Sequence, residues 1–208
     1  MFDLTVLHFL PRMKHSEFGT FLGLTGQRLK GIDNVHAGIA THICEKSKIQ
    51  ELKSALAECD SNETVEQVLL EFQENSLKSN VDLNARFTLE DKLDLISECF
   101  KFNKVSEILA ALEASNDEWG VKQATALKKM SPTSLVITLE QLRRGANLNL
   151  EEVLNMEHGI GSECMEQKDF YEGIRAVLVD RDHNPKWDQS EVDLERYFKG
   201  SKWAATKW

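Results

Sequence analysis

Between Asp169 and Trp187 the sequence carries carboxylates, arginines and a lysine at spacings that could serve chemistry on a substrate. A carboxylate such as Glu172 could accept or deliver a proton in general acid–base catalysis. The spacing of Asp169 and Glu172 also fits a capping box, in which both side chains satisfy free N–H groups of a first helical turn. We favour the cap, so this segment predicts no catalytic residue.

His42 and Cys44 are of the residue types that bind metal ions. Alternate side chains of a strand point to the same side, so a strand here would bring the imidazole and the thiol together. Two ligands do not complete a zinc site, and no other histidine or cysteine stands at a partnering spacing. We therefore expect a packed histidine and a buried thiol, with no metal and no cofactor.

Most of the chain shows the spacing of amphipathic helices, whose apolar stripes must pack on neighbouring elements. A helix is predicted from Glu17 to Arg28, with Gly31 as its stop. The run Ile39–Cys44 has the composition of a short buried strand, and Thr5–Leu10 fits either a strand or an apolar lead-in. After residue 44 the pattern stays helical.

Polar residues ahead of the apolar stripes predict where several helices begin. The predicted starts are Ser61 or Asn62, Thr88 with Asp91, Ser115 or Asn116, Ser131 ahead of Pro132, Asn149 with Glu152, and Asp169 with Glu172. These signals indicate a series of short helices divided by polar loops.

The composition is that of a globular protein, since 41% of the 208 residues are hydrophobic and 28% are charged. A net charge of -9 leaves little basic surface for a phosphate backbone, so we expect no nucleic-acid partner. No apolar run approaches the length of a membrane span, so we expect no membrane partner either. The 4 scattered cysteines, without a CxxC pair, are typical of reduced thiols.

The segment Asp169–Trp187, a helix followed by a charged turn that ends in Pro-Lys-Trp, resembles the C-terminal signature of the 3-hydroxyisobutyryl-CoA hydrolases. These enzymes are a branch of the enoyl-CoA hydratase/isomerase (crotonase) superfamily. Two further stretches are similar to the family in the same order. They are Phe9–Arg12 followed by Leu24–Gly31 and Ala37–His42, and then Lys129–Leu135.

The resemblance implies an activity, a partner and a compartment. The family hydrolyses 3-hydroxyisobutyryl-CoA to 3-hydroxyisobutyrate and coenzyme A in valine catabolism, part of branched-chain amino-acid degradation in the mitochondrion. It therefore implies an acyl-CoA substrate for the complete protein and a mitochondrial location. The residues Met1–His8 do not have the composition of an import signal.

In the resembling family the catalytic groups lie upstream of a Phe-Leu-Pro-Arg motif, which is Phe9–Arg12 here. The resemblance thus implies a C-terminal portion that lacks the catalytic residues and is inactive alone. Asp3 does not stand where the family's acid ahead of that motif would stand. We carry no catalytic residue over to this chain.

The resemblance also gives one binding residue. In related superfamily members a basic residue near the end of the signature helix approaches the phosphates of coenzyme A. Arg181 is the best match, and Arg175 and Lys186 are weaker ones. An arginine at this place can instead interact only with the negative end of the helix dipole, and that alternative stays open.

The predicted fold is mainly α, as the helical C-terminal portion of a crotonase-type α/β fold with one or two short strands and the β-rich spiral core largely missing. Residues 1–44 are expected to form an irregular arm with a helix and a short strand, and residues 45–208 the helical region. Exposed apolar helix faces are expected to allow self-association. Two other functions stay open, an enoyl-CoA hydratase or isomerase-like protein and a non-catalytic helical interaction module.

Overall fold

A computed structural model describes residues 6–79 and 85–199 of the chain. The chain divides into two compact units. The larger unit joins residues 1–27 to residues 93–208, and the smaller unit is formed by residues 28–92. The expected division into an arm, 1–44, and a helical region, 45–208, stays a prediction.

Regular structure in the described residues is helical, as the sequence predicts. The α-helices are α1 Val6–Phe9, α2 Ser16–Thr25, α3 Asp33–His36, α4 Ile49–Ala57, α5 Asn62–Ser79, α6 Leu93–Phe100, α7 Val105–Ala114, α8 Glu118–Leu127, α9 Pro132–Gly145, α10 Leu150–Cys164, α11 Lys168–Ile174 and α12 Leu194–Phe198. Short 3₁₀ turns cover Leu10–Arg12, Lys46–Lys48 and Glu90–Lys92, and a π-helical segment covers Arg175–Val179. None of the helices in the described ranges is long and apolar enough to cross a bilayer.

The strand predicted for Ile39–Cys44 is wrong, because this stretch is irregular in the structure. The N–H groups of Ile39 and Ala40 bond to the carbonyl of Asn34, and α5 side chains take up the N–H groups at the end of the run and just after it. Ile43 N–H donates to Gln73 Oε1 at 3.2 Å, and Glu45 N–H donates to Ser76 Oγ at 2.9 Å. Side-chain acceptors on a helix thus replace a sheet ladder here.

The other strand alternative, Thr5–Leu10, is also wrong over its described residues. Val6–Phe9 form a helical turn, and the chain continues through Pro11 as a 3₁₀ turn. Proline fits the start of such a turn because its ring fixes φ and the missing N–H would have no helical partner there.

Three of the predicted helix starts are confirmed in atomic detail. Ser61 Oγ accepts a hydrogen bond from Thr64 N–H at 3.2 Å at the start of α5. Ser131 Oγ accepts a hydrogen bond from Ser134 N–H at the start of α9. At α10, Asn149 accepts from Glu152 N–H at 3.0 Å while the Glu152 carboxylate accepts from Asn149 N–H at 2.8 Å. All three are local patterns within four residues of sequence, which is why the sequence predicts them.

Three other predicted helix boundaries are wrong. Asp117, rather than Ser115 or Asn116, caps α8, since its carboxylate accepts from the N–H groups of Trp119 and Gly120. α2 ends at Gly26, which has φ 65° and so takes the left-handed conformation that glycine adopts without strain. It therefore stops five residues before Gly31.

The third wrong boundary is at Thr88, where the sequence predicts a helix start capped by Thr88 with Asp91. Thr88 instead donates to the buried Asp33, through N–H at 3.0 Å and through Oγ1 at 2.7 Å. Helix α6 begins only at Leu93, after a 3₁₀ turn. A carboxylate 55 residues earlier therefore takes the place of a local cap.

The core of the larger unit lies around α2, which packs on α6, α8 and α9. Phe21 is fully buried at its centre, with the ring of Phe100 at 5.3 Å edge-on and that of Trp119 at 5.5 Å. Edge-to-face pairs of this kind add to the stabilisation that burial alone provides. A second apolar cluster joins α9, α10 and α12 through Ile137, Ile160 and Tyr197.

Candidate functional site

The candidate site is the stretch from α11 to Trp187, where the chain leaves a helix and turns back. After α11 the helix widens into the π-helical segment, with Asp180 N–H bonded to Arg175 O at 2.8 Å. Arg181 and His183 then adopt positive φ values of 56° and 50°. Side chains other than glycine enter this region at a cost of about 1–3 kcal/mol each unless the surroundings hold them there.

Arg175 holds this turn by binding three carboxylates. Its Nε and Nη2 donate to the two oxygens of Glu172 at 2.9 and 2.8 Å, the two-pronged geometry that guanidinium groups favour. Its Nη1 donates to Asp180 at 2.6 Å and to Asp182 at 2.7 Å. Nη2 also reaches the carbonyl of Asn184 at 3.2 Å. We call Arg175 with Glu172, Asp180 and Asp182 the Arg175 clamp.

Glu172 is a structural residue of the clamp and does not cap a helix. The predicted capping box of Asp169 and Glu172 is wrong, because α11 begins at Lys168 after Gln167, without a side-chain cap. Glu172 Oε1 instead accepts from the backbone N–H of Lys186 at 2.6 Å. The hydrogen bonds from Arg175 and from Lys186 N–H favour the charged carboxylate and lower the pKa of Glu172 to about 2. Such a group is ionised at neutral pH and is a poor proton donor.

The hydrogen bonds of the clamp also favour the charged forms of Asp182 and Arg175. Hydrogen bonds from Arg175 and from Asn184 N–H lower the pKa of Asp182. The bonds to Glu172, Asp182 and Asp180 raise the pKa of Arg175 above its ordinary value. Glu172, Asp182 and Arg175 are therefore charged near neutral pH, and the clamp is an ionic cluster.

Asp169 fixes the far end of the turn to α9. Its Oδ2 accepts from the buried Ser131 at 2.5 Å, and its Oδ1 accepts from Asp188 N–H at 2.8 Å. Trp187, between these contacts, lies against Gly173, where an added methyl group would stand 3.4 Å from the indole. The returning segment is thus held by α11 and by the start of α9.

Arg181, the predicted binding residue, lies at the exposed tip of this turn. Within the described residues its guanidinium makes neither a hydrogen bond nor an ion pair. Its two sequence neighbours, Asp180 and Asp182, both direct their carboxylates to Arg175 instead. Arg181 therefore presents its guanidinium to solvent, where it can donate charge-assisted hydrogen bonds to an anion. That it binds coenzyme A remains a prediction.

The weaker candidate Lys186 contributes its backbone to the clamp, and its side chain is exposed. Beside the turn, α11 and the π-helical segment expose an apolar face. Its members, with exposed fractions from 36% to 65%, are Phe170, Ile174, Val177 and Leu178. The spacing of these residues places them on one side of the helix, so the candidate phosphate contact stands beside apolar surface.

His42 and Cys44 do not share a site in the structure. His42 lies between Thr41, with Oγ1 2.9 Å from its Nδ1, and Glu66 of α5, with Oε1 3.3 Å from its Nε2. The Cys44 thiol donates to the carbonyl of Glu45 at 3.4 Å. Over residues 6–79 and 85–199, no three His, Cys, Asp or Glu side chains are grouped so as to hold a metal ion.

Arg12 is a positioning residue that the sequence did not reveal. Its guanidinium donates to the carbonyls of His8 at 2.6 Å and Gly145 at 2.9 Å, and it also binds the carbonyl of Leu148. The last two carbonyls lie at and beyond the end of α9, where free acceptors need donors. The only sequence signal at Arg12 is its place in the Phe9–Arg12 block, which resembles the family but does not indicate these hydrogen bonds.

Comparison with known proteins finds a family model and relatives that match most of this chain. The family model described as enoyl-CoA hydratase/isomerase matches residues 1–196. The mitochondrial 3-hydroxyisobutyryl-CoA hydrolase of Homo sapiens is 41% identical over 200 residues, which cover 92% of this chain and 51% of the human protein. The corresponding protein of Bos taurus is 42% identical with the same coverage. The chain thus spans about half the length of the curated relatives it matches.

Solved structures show the same fold. A carnitinyl-CoA dehydratase from Mycobacterium thermoresistibile superposes with a TM-score of 0.73 at 29% identity. An enoyl-CoA hydratase from Rhodobacter sphaeroides 2.4.1 also gives a TM-score of 0.73, at 27% identity. Each alignment covers 94% of this chain and 55% of the solved chain. The helices described above therefore correspond to a portion of the fold of these proteins.

Proposed function

This chain belongs to the enoyl-CoA hydratase/isomerase family, and from that membership we propose that the protein is a hydrolase of coenzyme A thioesters, with 3-hydroxyisobutyryl-CoA as its substrate. The observation that carries the proposal is the 41% identity with the human 3-hydroxyisobutyryl-CoA hydrolase over 92% of the chain. The reaction adds water across the thioester and releases 3-hydroxyisobutyrate and free coenzyme A. In this reading the protein acts in valine catabolism.

Arg181 is proposed to contact a phosphate of coenzyme A. The support is its exposed, unpaired guanidinium on a turn that the Arg175 clamp fixes. Arginine binds phosphate oxygens through planar, charge-assisted hydrogen bonds. The neighbouring apolar face, with Ile174 and Leu178, suits the non-polar part of a ligand.

The other candidate activity is hydration or isomerisation of an enoyl-CoA. The observation in its favour is the likeness to a solved enoyl-CoA hydratase and a solved carnitinyl-CoA dehydratase. Those proteins are 27% and 29% identical to this chain, whereas the human and bovine hydrolases are 41% and 42% identical. The greater identity favours the hydrolase, since substrate choice depends on the site more than on the fold.

A direct assay separates the two activities. The protein is given 3-hydroxyisobutyryl-CoA, and free thiol is followed with a chromogenic disulfide. An unsaturated acyl-CoA is tested in parallel for loss of its double-bond absorbance. Thiol release that exceeds hydration supports the hydrolase, and the opposite ranking contradicts it. The same assay on residues 1–208 tests the expectation that this chain is inactive alone.

A mitochondrial location is proposed from the relatives, which are named as mitochondrial proteins. Fractionation of cells that express the protein from its own transcript tests this, with the protein expected in the mitochondrial fraction. A non-catalytic interaction module is the remaining alternative. It predicts a stable complex with another protein and no turnover of either thioester in the assay.

A further inference from the structure

The turn that carries Arg181 is held by the guanidinium of Arg175. What we infer from this rests on the proposed contact between Arg181 and coenzyme A. Arg181 stands between two aspartates whose carboxylates bind one guanidinium, that of Arg175, at 2.6 and 2.7 Å. The same guanidinium binds Glu172, which in turn holds Lys186 N–H. One residue therefore ties together both ends of the turn that carries Arg181.

The backbone at the tip indicates that this arrangement is imposed. Arg181 and His183 both have positive φ, and neither is a glycine. Non-glycine residues keep such a conformation only when surrounding contacts over-determine it. Here those contacts are the clamp, the bond from His183 N–H to Ala176 O at 3.1 Å, and the bond from Asn184 N–H to Asp182 Oδ1 at 2.9 Å.

The geometry points to Arg175 as a positioning residue, which holds the turn of residues 180–186 in the shape that brings the Arg181 guanidinium to a phosphate of coenzyme A. Arg175 itself has no donor left for a ligand, because Nε, Nη1 and Nη2 all bind protein acceptors. Its effect on the ligand must therefore pass through the turn.

A substitution at Asp182 separates positioning from charge. Asp182→Ala removes a negative charge next to Arg181, so an effect of charge alone would strengthen the binding of a phosphate. It also removes one arm of the clamp and the bond to Asn184 N–H, so positioning predicts weaker binding. Glu191→Ala is the matched control, because it removes an exposed carboxylate that binds no side chain in the described part of the structure.

The experiment follows coenzyme A binding by titration of amide chemical shifts, which detects affinities into the millimolar range. Wild type, Arg181→Gln, Asp182→Ala, Arg175→Gln and Glu191→Ala are compared. Cleavage by trypsin after Arg181 reports the order of the turn in Arg175→Gln, where the residues on both sides of the cleaved bond are unchanged. Amide signals outside residues 169–190 report whether each variant is folded.

The expected result is that Arg181→Gln, Asp182→Ala and Arg175→Gln each weaken coenzyme A binding about tenfold, the effect of one lost charge-assisted hydrogen bond. Cleavage after Arg181 becomes faster in Arg175→Gln, and Glu191→Ala matches wild type. If Arg175→Gln does not fold, Asp182→Ala alone decides the question. Tighter or unchanged binding in Asp182→Ala would overturn the positioning role.

The Arg181 contact and the positioning role of Arg175 are contradicted by different results. If Arg181→Gln weakens binding but Asp182→Ala and Arg175→Gln do not, the contact stands and the positioning role is wrong. If Arg181→Gln binds coenzyme A as wild type does, the proposed contact at Arg181 is wrong and the positioning role falls with it. The thiol-release assay then still tests the hydrolase activity independently.

Discussion

The indole N–H of Trp187 donates a hydrogen bond to the backbone carbonyl of Lys129 at 2.8 Å, across 58 positions of sequence. Ser131, two residues after Lys129, is also bonded to Asp169, at the other end of the segment that closes with Trp187. The two sequence blocks that each resemble the hydrolase family, Lys129–Leu135 and Asp169–Trp187, are therefore parts of a single structural unit.

Trp187→Phe is predicted to destabilise the chain by about 1 kcal/mol, because it leaves the Lys129 carbonyl without this donor while keeping an aromatic ring. Trp187→Ala should cost more, about 2–3 kcal/mol, because contacts of the ring with Gly173 are lost as well. Urea unfolding followed by circular dichroism measures both. Equal midpoints for wild type and Trp187→Phe would show that the hydrogen bond contributes nothing.

Gly19→Ala is predicted to be among the more damaging small substitutions, at about 3 kcal/mol. A methyl group at Gly19 would overlap the backbone carbonyl of Leu10, so α2 would have to move away from the 3₁₀ turn. Gly161→Ala in α10 is the matched control, since a methyl group there meets no atom within 4 Å. It should stabilise the helix by about 0.5–1 kcal/mol. Thermal unfolding of both variants checks the opposite signs.

Arg12→Gln is predicted to lower stability by about 1 kcal/mol, because two carbonyls around the end of α9 lose their donor. Arg143→Gln serves for comparison. Arg143 is an exposed arginine that pairs with Glu140 on the same helix, and pairs of that kind contribute only about 0.3–0.5 kcal/mol. Similar unfolding midpoints for the two variants would mean that Arg12 acts as an ordinary surface charge.

The clamp is predicted to make stability depend on acid pH. The pKa of Glu172 is about 2 in the folded chain against an ordinary 4.5, so its ionised form favours the folded state. That contribution is complete above about pH 4.5 and is lost as the pH falls toward 2. The stability difference between wild type and Glu172→Gln should therefore be constant near neutral pH and shrink on acidification. Urea midpoints from pH 7 to pH 3 test this, and a difference that grows in acid contradicts it.

The helices could be predicted from sequence where their signals are local. Asn149 and Glu152 satisfy each other within one turn, so the pattern of residue types is sufficient. The spacing of Asp169 and Glu172 is the same, yet there the carboxylates bind Ser131, Arg175 and the N–H groups of residues 186 and 188. Donors that tertiary folding brings close bind these two carboxylates, so the carboxylates do not cap the first turn of a helix.

The run Ile39–Cys44 shows the same limit. Its β-branched composition favours a strand, but the Asn34 carbonyl and, from 30 positions away, the Gln73 side chain supply acceptors for its backbone. In the candidate site the sequence identified Arg181 only through a family resemblance. The guanidinium that binds both of its neighbours, that of Arg175, could be recognised only once the helix, the π-helical segment and the turn were seen together.

The π-helical segment makes the turn depend on the number of residues as well as on their identity. A π-helical stretch corresponds to one residue inserted into an α-helix, so deleting one residue from Arg175–Val179 would restore regular helix. Every later residue would then rotate by about 100° relative to α11. Asp180 and Asp182 would leave Arg175 even though no charged side chain had been changed. Relatives that keep these charges but differ in length here would have lost the same interactions.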